Sequence, residues 1–191
     1  MRLGAAGRRG QLRRGFHNTA CPAHSEGFNS MKTVTLPLTG RCQCGALAYS
    51  AAQAPIMLYA CHCTDCQKQS GGAFVLSATI PEPSLTFSRG RPARATWSSE
   101  AGNQRFGLFC GECGSRIANG STPSIGFLRL RAGTLDDTSW VRPAGHIWMR
   151  SAQPWFRAAE GDLLFDHQPE DYQSLIERFA GLQRFTSQGT A

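Results

Sequence analysis

Seven cysteines between residues 42 and 113 fall into three tight groups: RCQCG (Cys42, Cys44), CHCTDC (Cys61, Cys63, Cys66) and FCGECGS (Cys110, Cys113). Their spacing constrains the fold more than any other feature. In a C-x2-C turn followed by Gly, the glycine permits a tight bend that aims backbone N–H groups at the sulfurs. Cys113-Gly114 fits that pattern, and Cys44-Gly45 is a tighter C-x-C relative. A chain of 191 residues can bury roughly 70% of its unfolded surface and needs no staples merely to fold. The first residues lack the long apolar core of a secretory signal, which makes disulfides the poorer use of these thiols. Close spacing favours metal.

Seven ligands divide as four plus three. Cys42, Cys44, Cys110 and Cys113 can form one closed four-cysteine site, the arrangement of a structural zinc. Cys61, Cys63 and Cys66 then supply three ligands from one short turn, leaving one tetrahedral position for water or substrate, as a catalytic zinc requires. Spacing alone leaves other partitions open, because His62, Asp65, His146 or Cys21 could complete a second closed site. Iron–sulfur is the inorganic rival, but ferredoxin spacings are absent and two-residue knuckles favour zinc. A redox C-x2-C would want a βαβ context, which the chain does not show.

The net charge of +7 is unevenly spread, since five arginines and one acid in residues 1–30 account for +4 of it. The remaining body carries an ordinary balance, so the basic pI does not argue for nucleic acid as a partner. No run approaches the roughly 20 apolar residues of a membrane span. Residues 1–30, arginine-rich with no acid before Glu26, read as a disordered basic tail or a transit-like extension. The expected location is the cytoplasm, or the mitochondrial matrix if that tail is a transit peptide. His17, Cys21 and His24 read as solvated tail residues.

From Thr33 to about Leu135 the pattern is one of short strands separated by turn signals: GALAYSAA, AFVLSATI, SLTFSRG, RATWSS, QRFGLFC and GFLRLRAG. Gly102 and Asn103 predict a hairpin loop between ATWSS and QRFGLFC. In FLRLRAG, Leu128 and Leu130 share one face while Arg129 and Arg131 share the other. No helical period interrupts this region, so the class is mainly β. Only the C-terminal end predicts a helix, with Tyr172, Leu175, Ile176 and Phe179 on one face. Pro169, Glu170 and Asp171 suit its first turn and Gly181 its exit.

Over about Gly40 to Trp155, the motifs GRCQCGALAY, CHCTDCQKQSGGAF, FCGECGSRI and PAGHIWMRSAQPW resemble the glutathione-dependent formaldehyde-activating enzyme family, which also includes centromere protein V. The resemblance implies a β-tent of small antiparallel sheets with zinc knuckles, to which the periodicity adds the short C-terminal helix. It implies two zinc ions per chain: a structural one on Cys42, Cys44, Cys110 and Cys113, and a catalytic-type one on Cys61, Cys63 and Cys66. It also implies a carbon–sulfur lyase that condenses glutathione with formaldehyde to S-hydroxymethylglutathione. The expected layout is a tail over 1–30, a zinc-binding domain of this family's type over 31–165, and a C-terminal helix and tail over 166–191. The chain departs from the family at Gln67, where an arginine is frequent; Lys68 follows it, but a point charge does not replace a bidentate fork.

His146 is the remaining catalytic candidate, as a proton donor or hydrogen-bond partner; the competing reading is a strand histidine bonded to backbone. Trp148 and Trp155 read as core or pocket wall, Gly71 and Gly72 as points of close backbone approach, and Asp65 as a turn-capping carboxylate or an orienter of bound water. His62 points away from a metal shared by Cys61 and Cys63 if that segment is extended. The expected partner is a small molecule, with a glutathione adduct as the leading candidate, and nothing in the sequence sets an oligomeric state. Hydrolysis of an imine C=N bond is the enzymatic alternative. A zinc-stabilised interaction module without catalysis is the other.

Overall fold

The computed structural model describes residues 32–99 and 102–187. The strands are β1 (Lys32–Leu36), β2 (Leu38–Arg41), β3 (Ala48–Ala51), β4 (Met57–Cys61), β5 (Val75–Pro81), β6 (Leu85–Arg89), β7 (Ala93–Ser98), β8 (Gln104–Phe109), β9 (Arg116–Ser121), β10 (Phe127–Arg131), β11 (Gly145–Ile147), β12 (Leu163–Phe165) and β13 (Gln183–Ser187). Helix α1 (Thr64–Ser70) follows β4, and α2 (Gln173–Leu182) runs directly into β13. The class is mainly β, as expected. The tail residues His17, Cys21 and His24 lie outside the described residues.

Three sheets make up the body. The largest has the order β12-β11-β4-β5-β10-β9-β8-β7, beside a three-stranded β2-β3-β6 sheet and a β1-β13 pair. Pairing is antiparallel except where β11 lies parallel to β4 and to β12, and where β1 lies parallel to β13. The β7–β8 hairpin pairs Ser98 with Gln104, and Gly102 takes φ 77°, the left-handed conformation its loop requires.

The large sheet buries one face in the core. Leu58, Ile80, Ile117 and Leu130 are wholly buried, each contributing about 1.5–3 kcal/mol relative to exposure. In β10 Leu128 and Leu130 point into this core, so alternation turns Arg129 and Arg131 to the other face. Central β4 is buried along all five residues, as expected of a strand covered on both sides.

Two local readings are corrected. A helix does interrupt the strand region: α1 has seven residues and no buried one, too short and too polar to show a 3.6-residue period. Its ends are made by caps. Cys63 is the N-cap, its sulfur accepting from the Cys66 N–H at 3.4 Å, and Gly71 closes it at φ 63°. Helix α2 starts after Pro169, Glu170 and Asp171, with Tyr172 as N-cap, and Gly181 lies inside it rather than beyond its end. Leu175 and Phe179 of the expected stripe are buried. Among the described residues, no helix is long and apolar enough to cross a membrane.

Candidate metal centres and an arginine-lined pocket

The strand ends bring the seven cysteines into two groups. Cys42 follows β2 and Cys110 follows β8; with Cys44 and Cys113 their sulfurs all lie within 4.8 Å of one another. Cys42 Sγ is 3.5 Å from Cys44 Sγ, which is 3.7 Å from Cys110 Sγ. Zinc–sulfur bonds of about 2.3 Å in a tetrahedron place sulfurs about 3.8 Å apart, so the donor set fits zinc. The Leu47 N–H donates to Cys42 Sγ at 3.2 Å, and Ser115 Oγ lies 3.2 Å from Cys113 Sγ. Hydrogen bonds from the Ser115 hydroxyl and backbone pull the Cys113 thiol down to about 5, towards the thiolate a metal needs. Gly45 and Gly114, at φ 78° and 74°, make the two turns, as the knuckle pattern requires.

Cys61, Cys63 and Cys66 form the second group, again with sulfurs within 4.8 Å. Cys61 ends β4, Cys63 caps α1 and Cys66 lies in its first turn. Hydrogen bonds from Cys61 and Cys66 push the Cys63 thiol down to about 2, while the same contacts and burial push Cys61 far up. Three touching sulfurs cannot all ionise unaided, and a divalent cation in place of their protons resolves that conflict. Among the described residues, no histidine or carboxylate joins this group.

The other proposed ligands are placed elsewhere. His62 is wholly buried on the side of β4 away from the pocket, its Nε2 3.0 Å from His146 Nδ1. His146 Nε2 is 3.2 Å from Asp162 Oδ2. Because a carboxylate only accepts, His146 Nε2–H donates to Asp162 and His146 Nδ1 accepts from His62 Nε2–H. His62 Nδ1 is left buried without a partner. The Phe74 and Phe156 rings enclose the pair, with centroids 5.0 and 4.6 Å from that of His62. Burial, then the neighbouring His146 charge, pushes His62 down to about 4. Burial also lowers His146, against the opposing pull of Asp162. Both rings are therefore neutral at pH 7, and neither lines the cavity described next.

A cavity of about 460 Å³ covers the face of the large sheet that carries Cys61. Cross-strand partners share a face, and the register assigns its floor. Ile147 pairs with Cys61, and Tyr59 with Ser77, which pairs with Arg131. Arg129 pairs with Asn119, and Ser121 with Arg105, which pairs with Trp97. Tyr172, at the start of α2, packs on Tyr59 with ring centroids 6.1 Å apart and also lines the cavity. Gly107 leaves room for the Arg116 guanidinium to lie across it: an added Cβ would fall 1.3 Å from Arg116 Nη1 and the arginine would have to swing aside.

Of the remaining expectations, Trp148 does line the cavity, and it holds φ 62°, a conformation that costs a non-glycine residue about 1–3 kcal/mol. Trp155 is 66% exposed and forms neither core nor wall. Asp65 lines the cavity beside the cysteines. Gln67 does not: its Nε2 donates to the carbonyls of His62 and Ser151 at 2.7 and 2.8 Å, and its Oε1 accepts from Gln153. It ties α1 to the segment after β11. Lys68 is exposed outside the cavity and supplies no substitute charge there. Sequence reasoning missed Arg105, Arg129 and Arg131 as pocket residues, although the alternation in FLRLRAG already set two of them on one face.

Fold and site together define a small cysteine-knuckle β protein with one closed four-thiol cluster and one three-thiol cluster beside a cavity. The chain belongs to the glutathione-dependent formaldehyde-activating enzyme family, whose model matches residues 37–151. No curated protein matches the chain. A crystal structure of a Rhodobacter sphaeroides protein from structural genomics is similar over 51% of this chain and 87% of its own, at 17% identity and a TM-score of 0.39. Family membership points to glutathione- and formaldehyde-related chemistry, and both cysteine clusters can hold metal ions of the zinc type.

Proposed function

We propose that this chain is a zinc-dependent carbon–sulfur lyase of the formaldehyde-activating type, joining glutathione to formaldehyde as S-hydroxymethylglutathione. One observation carries the reading: the three-cysteine cluster lines a ligand-sized cavity and the four-cysteine cluster does not. Cys42, Cys44, Cys110 and Cys113 would hold a structural zinc that ties the end of β2 to the end of β8. Cys61, Cys63 and Cys66 would hold the second. A zinc bound there supplies a Lewis-acidic centre, softened by three thiolates, suited to a thiol or a small carbonyl.

The reaction adds S–H across C=O. A sulfur–carbon bond forms, the carbonyl π pair becomes the hydroxyl, and the thiol proton ends on that oxygen. Asp65, which lines the cavity beside the cysteines, is placed to relay that proton. Burial holds the Tyr59 phenol protonated well beyond its ordinary range, so it remains a hydrogen-bond donor to a substrate oxygen. Trp97, Trp148 and Tyr172 exclude water from the walls. In this reading His146 is a positioning residue: with His62 and Asp162 it fixes the junction of β4 and α1, where the three cysteines stand.

Metal analysis and exchange NMR test the reading. Wild-type chain should carry two zinc ions, and Cys63→Ser should lose one while keeping its fold. Exchange between formaldehyde, glutathione and their adduct should run faster than in buffer and slow to background in Cys63→Ser. Exchange at the buffer rate with both metals bound would remove the formaldehyde assignment, and an imine-hydrolysis screen would follow.

A further inference from the structure

Three arginines stand on the cavity floor with no acid beside them. Arg129 and Arg131 alternate outward along β10, and Arg105 lies two strands away on β8. Arg131 is only 7% exposed. It donates to Ser77 Oγ at 3.2 Å and to Gln69 Oε1 at 3.0 Å, both neutral. Arg105 and Arg129 both turn to the single hydroxyl of Ser121, although each guanidinium carries five N–H donors. Among the described residues no carboxylate pairs with any of the three; the ion pairs join Arg41 to Asp136, and Asp162 to Arg142, His146 and Arg178. Asp65, across the cavity on α1, is the one carboxylate among the described lining residues.

Such a cluster is costly unless something compensates it. A buried charge without a counter-ion costs several kcal/mol, and three like charges on one sheet face repel. The strain extends to Arg116, whose guanidinium is depressed by burial and then by the charge of Arg131. The metal centre answers only part of this. Three thiolates around a divalent ion would leave a net charge of −1, which a single guanidinium offsets; Arg131, which lines the same cavity as Cys61, Cys63 and Cys66, can serve as that one. Arg105 and Arg129 remain.

We propose that Arg105, Arg129 and Arg131 form a carboxylate-recognising wall, and that the substrate of this pocket carries a carboxylate held there while its reacting group lies beside Cys61, Cys63 and Cys66. The planar guanidinium fork matches a carboxylate in two parallel hydrogen bonds. The proposal rests on the functional reading above only for the end of the cavity at which the reaction occurs. Gln67 lies outside this cavity, so the charge comes from the sheet and not from α1.

Binding to the zinc-loaded full chain, followed by calorimetry, tests it without turnover. The probes are S-methylglutathione, which lacks a free thiol, its dimethyl ester, and succinate. We expect the ester to bind about tenfold or more weakly than the acid, and Arg129→Gln and Arg105→Gln each to weaken the acid about fivefold or more. Lys68→Gln, outside the cavity, should leave affinity unchanged. Both arginines are half-buried, and thermal melts confirm that their variants fold; deeply buried Arg131 is left intact. Succinate binding that depends on the arginines, with none for S-methylglutathione, upholds the wall and sinks the glutathione reading. S-methylglutathione binding that ignores both ester and arginine changes overturns the wall and leaves glutathione standing. Failure of every anionic probe overturns the wall.

Discussion

The buried His62–His146 pair ties stability to pH in a defined window. An unfolded histidine takes up a proton near pH 6.5, whereas folded His62 does so only at about 4. Between those values the unfolded state binds more protons, so stability rises with pH. The contribution is fully present above 6.5 and is lost as pH falls towards 4. From pH 7.5 to 5.0 the loss from His62 alone is about 2 kcal/mol, the slope approaching 1.36 kcal/mol for each pH unit once the unfolded histidine is mostly protonated. His146, lowered in the same direction, steepens it. The perturbation is His62→Phe, which keeps an aromatic ring between Phe74 and Phe156. Urea unfolding at half-unit steps from pH 7.5 to 5.0, with bound zinc measured at each step, separates proton linkage from metal release. Wild type should lose about 2 kcal/mol more than His62→Phe over the range in which both retain zinc. The variant also removes the hydrogen bond to His146 Nδ1 and should be about 1–3 kcal/mol less stable at pH 7.5, a starting gap that narrows as wild type loses its pH-dependent share. Equal slopes in the two proteins would refute the claim that the pair is held neutral by burial.

Three other outcomes follow from the packing. Cys110→Ser should lower the melting temperature by more than Cys63→Ser, because Cys110 belongs to the cluster joining β2 to β8; equal losses in differential scanning calorimetry would count against separate structural and functional metals. Leu130→Ala removes a wholly buried side chain and should cost about 2–5 kcal/mol in chemical denaturation. Gly145→Ala sets a Cβ 2.4 Å from the Leu163 carbonyl oxygen, a backbone atom that cannot swing aside. It should cost about 1–3 kcal/mol and speed amide exchange in β12, and unchanged exchange there would contradict the packing.

The cysteine grouping was readable because spacing and glycine placement report on turn geometry, and the four-plus-three division matches the two clusters of sulfurs. Strands with clear alternation, such as β10, were readable for the same local reason. Helix α1 was hidden because its start is a thiol cap and none of its residues is buried, so no apolar period exists to find. The parallel placement of β11 depends on a partner, β4, more than eighty residues earlier, a separation that no local pattern encodes. His62 does turn away from the cysteines, as alternation in an extended strand suggested, but its pairing with His146 and Asp162 needed the assembled sheet. The arginines illustrate the boundary best. Alternation put Arg129 and Arg131 on one face, and only the strand order showed that Arg105 and the cysteines share it.

The pairing of β1 with β13 sets Lys32 beside Gln183 and Leu36 beside Ser187. A chain emerging from the ribosome can close local hairpins such as β7–β8 early, but its first described strand must wait for the last. Contacts of such sequence separation slow folding. They also make this pair a test of full length, since a chain cut short anywhere before residue 183 leaves β1 with its backbone donors and acceptors unmatched and open to pairing with a neighbouring molecule.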